Sequence, residues 1–204
     1  RESANVIKTG YGMPALHNDE IIIPSLLERG VKYQDAYNYS MVGCVEVAVP
    51  GKWGYRTTGM SFLNMLKALE LTLNDGVDPR TGIELYRGEG ELTDFDTFAE
   101  LWDAWEEHMK YYTKLSVTID HIADKNLEKY PDIFCSSLVN NCIERGKTAK
   151  EGGAIYDMVS GLQVGIAHVA NSFASIKKLI YEEEKLDREK LMEVLDNNFA
   201  GEEG

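Results

Sequence analysis

Apolar residues recur at three- and four-residue steps through most of the chain, and this spacing predicts a helix-rich protein. The longest such run, Thr93 to about Lys129, reads as one long helix or two. Phe98, Trp102, Trp105, Met109, Tyr112, Leu115, Ile119 and Ile122 mark one stripe there, expected to pack on a core. Nearer the start, Ile22, Ile23, Leu26 and Leu27 follow Asn18-Asp19-Glu20, which predicts a helix capped at Asn18 and running to Gly30. Pro24 falls in its first turns, where proline is tolerated. Gln34 to Tyr39 reads as a further helical turn. Thr57-Thr58-Gly59 is read as opening a helix with Phe62, Met65, Leu66, Leu69 and Leu73 on one face, closed by Asn74-Asp75-Gly76. Pro131 ends the long run, and another helix is expected from there to Arg145-Gly146. Gln163 to Glu183 predicts a helix carrying Ile166, Val169, Phe173, Ile176 and Ile180. Asp187 begins a last one that ends near Asn198.

Two stretches depart from the helical period. Met41 to Pro50 is short, apolar and bounded by glycine, as a buried strand or loop would be. Ala154 to Val159 alternates weakly and fits a buried strand. Helices interspersed with a few short buried strands predict the α/β class, although periodicity does not fix a topology. No internal repeat, low-complexity stretch or linker divides the chain.

Composition narrows the function classes. With 204 residues, 44% hydrophobic and 27% charged, the chain reads as a folded soluble domain or part of a larger one. A formal net charge of −13 with no basic block excludes a nucleic-acid binder. No apolar run approaches a membrane span, and no hydrophobic leader segment precedes the first helix. Three cysteines without framework spacing point to a reducing cytoplasm rather than a disulfide scaffold. The chain begins with Arg1, which points to a piece of a larger product.

The chemistry concentrates in Val42-Gly43-Cys44-Val45-Glu46, followed by Pro50-Gly51-Lys52. A thiol and a carboxylate two residues apart point to the same side if the segment is extended, and so can serve one small cavity. Glu46 is an ionisable group in an otherwise apolar run, and burying a carboxylate is costly unless it has a partner or a task. The competing readings are that Cys44 is a small buried hydrophobe and that Glu46 bonds nearby backbone. Cys135 and Cys142, seven apart on one expected helix face, read as core packing; without a nearby histidine they make a poor zinc site. His17, His108, His121 and His168 match no metal spacing, so no metal site is expected. Cys44 with His17 or His168 could form a hydrolase nucleophile pair, but nothing in the spacing selects it. Gly161-Leu162-Gln163-Val164-Gly165 misses the dinucleotide pattern.

Taken together, these segments resemble the glycyl radical enzymes, the pyruvate formate-lyase/glycerol dehydratase-like superfamily, in its Gly-Cys-Val-Glu branch. The resemblance runs from Gly10-Tyr11-Gly12-Met13-Pro14 to Glu20, through the cysteine loop at Tyr39 to Glu46, to Leu63-Asn64 and Asn74-Asp75-Gly76. It continues at Cys142-Ile143-Glu144-Arg145-Gly146-Lys147, Glu151-Gly152-Gly153-Ala154, Ala174 to Leu179, and Asn198-Phe199-Ala200-Gly201. His17 stands where the family usually has Phe.

The resemblance implies about the second half of a ten-stranded α/β barrel, with residues 1–204 as a partial barrel domain. The first part of the barrel and a C-terminal glycyl radical domain would lie outside it. It implies that Cys44 becomes a thiyl that abstracts hydrogen and that Glu46 acts as general base. Thr58, Met60 and Phe62 are the candidates for lining the substrate pocket, with first-turn helix packing as the competing role. No bound cofactor is implied. The radical resides on a glycine outside this chain and is installed by an S-adenosylmethionine-dependent iron–sulfur activase. Small-molecule substrate and activase are thus the expected partners, and a homodimer stays open. The implied parent reaction is elimination from a small hydroxylated substrate, as in a dehydratase-type lyase. A formate C-acetyltransferase-like enzyme, a decarboxylase or an inactive fragment are the alternatives. The acetyltransferases carry two adjacent cysteines, whereas Gly43 and Val45 flank Cys44 here. Tyr55-Arg56-Thr57-Thr58-Gly59 is closer to the hydroxyproline dehydratase and arylacetate decarboxylase branches, although Met60 stands where those have an aromatic residue.

Overall fold

The computed structural model describes residues 1–43, 46–54 and 58–201, with Thr58 and Met60 described by their backbone alone. Helices dominate and two short two-stranded sheets accompany them. The chain forms two compact units. The first comprises residues 1–59 and 123–160, the second residues 60–122 and 161–204.

In the first unit, α1 (Glu2–Val6) and a π-helical turn lead to α2 (Asp19–Glu28). The Asn18 side chain accepts a hydrogen bond from the Glu20 amide at 3.0 Å, satisfying one of the donors a helix start leaves open. Ile23 and Leu26 face inward, and Gly30, at φ +85°, carries the chain out of the helix. Next come α3 (Tyr33–Ala36) and an antiparallel hairpin, β1 (Ser40–Val42) with β2 (Glu46–Ala48). The core of this part joins Ile23, Leu26, Val31 and Ala36 to Ala48, Val49, Trp53 and Tyr156. The run from Met41 to Pro50 is therefore not one strand. The chain turns at Gly43, whose φ of +63° lies in the left-handed region that favours glycine.

Beyond Pro131 the expected single helix is two short ones, α6 (Ile133–Ser137) and α7 (Cys142–Arg145). Asn141 separates them at φ +72°, a conformation no helix continues through. Cys135 and Cys142 therefore do not share a helix face. Cys142 is buried with Ala149 and Ala154, while Cys135 is half-buried. The glycine pair that follows is dictated by space. Gly152 adopts φ +87°, and a Cβ on Gly153 would meet the Lys147 carbonyl oxygen at 2.4 Å.

In the second unit the predicted helix from Thr57 divides. Residues Thr58–Asn64 form strand β3, and α4 spans Met65–Leu73. Asn64 is the N-cap, accepting from the Leu66 and Lys67 amides at 3.1 and 3.2 Å. The misreading has a physical source. Thr58, Gly59, Met60, Ser61 and Phe62 suit a strand, yet Phe62 also falls in helical register with Leu66 and Leu69. Strand β3 pairs with β4 (Ser160–Val164), not with the expected strand at Ala154–Val159, where only an isolated bridge joins Tyr156 to Trp53. Gly165, at φ +87°, then starts α8 (Ile166–Ile176), three residues later than expected.

The long helix is α5 (Phe98–Leu127). Its first half packs as the stripe requires. Phe173 of α8 touches the rings of Phe98, Trp102 and Trp105, and Leu101 and Ala104 are buried beside Met65, Leu69 and Leu73. Its later stripe departs from expectation, for Leu115, Ile119 and Ile122 are exposed. Helix α9 (Arg188–Asp196) follows Asp187, and Arg188 reaches the Phe95 carbonyl and the Asp96 carboxylate.

Candidate functional site

The hairpin that brackets the cysteine is paired Ser40 to Ala48, Met41 to Val47 and Val42 to Glu46. Residues 43–45 connect the strands, so Glu46 opens β2 directly across from Val42. Its carboxylate folds back over the turn: a Cβ built on Gly43 would lie 2.9 Å from Glu46 Oε2. Glycine at 43 thus answers both the turn's left-handed φ and the approach of the acid. Cys44 and Val45 lie outside the described residues, and so does the side to which the thiol faces.

The chain on either side of this hairpin is tied together. The Lys52 ammonium donates to Asp35 Oδ1, and the Tyr156 hydroxyl donates to Asp35 Oδ2 at 2.7 Å. The Lys32 amide donates to the Tyr156 hydroxyl at 3.0 Å. Asp35 and Tyr156 are buried, at 7% and 8% exposure. The Lys52 bond, then the Tyr156 bond, holds the Asp35 carboxyl below its ordinary pKa. Burial pushes the Tyr156 phenol up. Backbone bonds fix the same segment: Tyr156 N–H to the Lys52 carbonyl at 2.9 Å and Gly54 N–H to the Tyr156 carbonyl at 2.7 Å. Trp53 Nε1 donates to the Met158 carbonyl at 2.9 Å. Asp35 and Tyr156 were not flagged in the sequence. The available signal is a lone carboxylate and a lone lysine placed symmetrically about an apolar hairpin.

Thr58, Met60 and Phe62 fall at alternate positions of β3, a strand rather than the first turn of a helix. The Thr58 and Met60 side chains lie outside the described residues; Phe62 is 68% exposed. A groove of about 1080 Å³ opens between α4, α8 and α9, with Leu69, Ile176, Leu191 and Phe199 on its walls; Phe62 does not line it. His17, His121 and His168 are exposed, whereas His108 is buried at 1%. Among the described residues, no cluster of three His, Cys, Asp or Glu could hold a metal ion. Nor, among them, is any helix long and apolar enough to cross a membrane.

The fold mixes helices with short strands and carries a hairpin that turns at Gly43 with a carboxylate, Glu46, at its edge. The chain belongs to the pyruvate formate lyase-like family, which matches residues 1–204, and with it to the glycyl radical enzymes. It is 47% identical over 199 residues to the probable dehydratase YbiW of Escherichia coli K12, covering 96% of this chain and 25% of that protein. It is 33% identical over 205 residues to trans-4-hydroxy-L-proline dehydratase of Clostridioides difficile, covering 98% and 25%. A solved structure concerning 1,2-propanediol dehydration in Roseburia inulinivorans superposes with a TM-score of 0.82 at 38% identity, over 98% of this chain and 25% of that one. The chain therefore spans about a quarter of the length of the relatives it matches.

Proposed function

We propose that residues 1–204 are the cysteine-hairpin segment of a longer glycyl radical enzyme that eliminates water from a small hydroxylated substrate. The observation that carries this reading is likeness to dehydratases over nearly the whole chain, and the Gly43-Cys44-Val45-Glu46 stretch of the sequence supports it. The longer protein would complete a ten-stranded barrel around the hairpin and present a glycine loop opposite it. A separate S-adenosylmethionine-dependent iron–sulfur activase would install the radical, in a reducing cytoplasm consistent with the cysteine usage.

A glycine radical outside residues 1–204 supplies the oxidising equivalent to Cys44. The Cys44 thiyl takes a hydrogen atom from a substrate C–H bond, forming S–H and leaving a carbon radical. Glu46 accepts the proton of the hydroxyl on that carbon. Electron density released from that oxygen expels the neighbouring hydroxide, which leaves as water after taking the proton from Glu46. The Cys44 thiol returns its hydrogen atom to the product radical, so the net change is loss of one water and the thiyl is regenerated. Thr58, Met60 and Phe62 would line the pocket from β3. Exclusion of water and stray hydrogen donors is what protects the carbon radical.

The test uses the longer protein, activated anaerobically. Cys44→Ala and Glu46→Gln should each retain the glycyl radical signal by electron paramagnetic resonance and lose turnover of diols. Turnover by the Cys44→Ala enzyme would exclude the thiyl route.

A further inference from the structure

We propose that Asp35, Lys52 and Tyr156 form a clamp at the base of the cysteine hairpin, and that these positioning residues set the aim of Cys44 and Glu46. The inference rests on the reading above and deepens it. Each strand of the hairpin has three residues, and so short a ribbon is marginal in isolation. Something must close it. Asp35 lies five residues before Ser40, and Lys52 four residues after Ala48. Their ion pair therefore joins the two chain ends where the hairpin leaves the body of the unit. Tyr156 completes the closure from a remote part of the sequence, through its hydroxyl to Asp35 and its backbone to Lys52.

The lever is short. Glu46 is two positions along β2 from Ala48, which is paired with Ser40 at the base. At the strand rise this is about 7 Å. A shift of the base thus passes to the tip almost undiminished. Hydrogen-atom transfer depends steeply on the separation of the reacting atoms, and misplacement by 1 Å can cost on the order of 100-fold in rate. The clamp is also built for rigidity rather than solubility. Asp35 and Tyr156 are nearly out of water, and both Asp35 oxygens are engaged. Removing Lys52 or Tyr156 leaves the buried Asp35 carboxylate with one partner where it had two, which loosens the base.

The experiment uses the activated full-length protein. Lys52→Met and Asp35→Asn should each lower kcat roughly 10- to 100-fold. KM should change less than about threefold and radical content should stay near the parent's, while the thermal midpoint falls modestly because a buried ion pair is broken. Lys52→Arg should restore most of kcat, because it can still reach Asp35. If the charge-removing variants do not fold, Tyr156→Phe decides the matter. It deletes one hydroxyl, keeps the ring beside Trp53, and should lower kcat alone. Unchanged kcat in Tyr156→Phe and Lys52→Met, or a fall in kcat that merely tracks lost radical, overturns the clamp. Cys44→Ala separates the two levels. If it keeps turnover, the underlying thiyl reading is wrong; if it abolishes turnover while Lys52→Met does not, only the clamp is.

Discussion

His108 projects from α5 into a space enclosed by aromatic rings. Tyr86 meets it edge-on with centroids 5.1 Å apart, and Tyr112 lies at 6.0 Å. Desolvation lowers its pKa, with the Asp75 carboxylate acting weakly the other way. The folded ring is thus neutral where the unfolded one takes up a proton, so stability falls as the pH drops through about 6.5. Replacing His108 by Phe should flatten the dependence of thermal midpoint on pH between about 7 and 5. An unaltered slope would show that other groups carry it. Gly153 gives a second residue-level expectation. An added methyl there would collide with the Lys147 and Thr148 carbonyl oxygens, at 2.4 and 2.7 Å. Gly153→Ala should cost more than about 1 kcal/mol, read as a lower urea midpoint. The Gly152-Gly153 pair, visible in the sequence as a family landmark, thereby acquires a steric reason that the sequence itself does not supply.

Among elements, the boundaries follow caps more closely than apolar spacing. Asn64 begins α4 because its side chain satisfies two amides, and Asn64→Ala should cost about 1 kcal/mol in chemical denaturation. Phe173 holds α8 to α5 through three aromatic neighbours, and Phe173→Ala should cost about 3–5 kcal/mol by the same measurement. Helix α2 and the existence and first half of α5 were legible because caps and apolar period agree there. Strand β3 was not, since Phe62, Leu66 and Leu69 imitate a helical stripe across a strand–helix junction. The break between α6 and α7 was hidden too. Asn141 takes a left-handed conformation, and a single asparagine is a faint signal beside the glycines that usually mark one. In the candidate site, Glu46 was singled out in the sequence by its chemistry, as an ionisable group in an apolar run. The partners that steady its hairpin were not, because Tyr156 is 121 residues from Asp35 in sequence.

For the molecule as a whole, likeness to proteins about four times as long governs what the chain can do alone. In the proposed mechanism the radical glycine lies outside residues 1–204. The isolated chain, supplied with activase, S-adenosylmethionine and a diol, should therefore give no product, whereas the longer protein should. Product from the isolated chain would place the whole radical apparatus within these residues. The stripe of α5 beyond Tyr112 makes the same point about legibility. Its apolar period was read as a face packed on a core, but Leu115, Ile119 and Ile122 are exposed here, since periodicity does not reveal what a face packs against.

The backbone passes between the two units three times, so that residues 123–160 return to complete what residues 1–59 began. A ribosome making this chain releases the hairpin long before it releases Tyr156. Through that interval Asp35 and Lys52 have no third member to hold them, and the newborn thiol waits for roughly a hundred further peptide bonds at about 5–20 residues per second. Closure of the hairpin base therefore waits for Tyr156, and a stall before that residue leaves the Asp35–Lys52 pair without its third member for as long as the stall lasts.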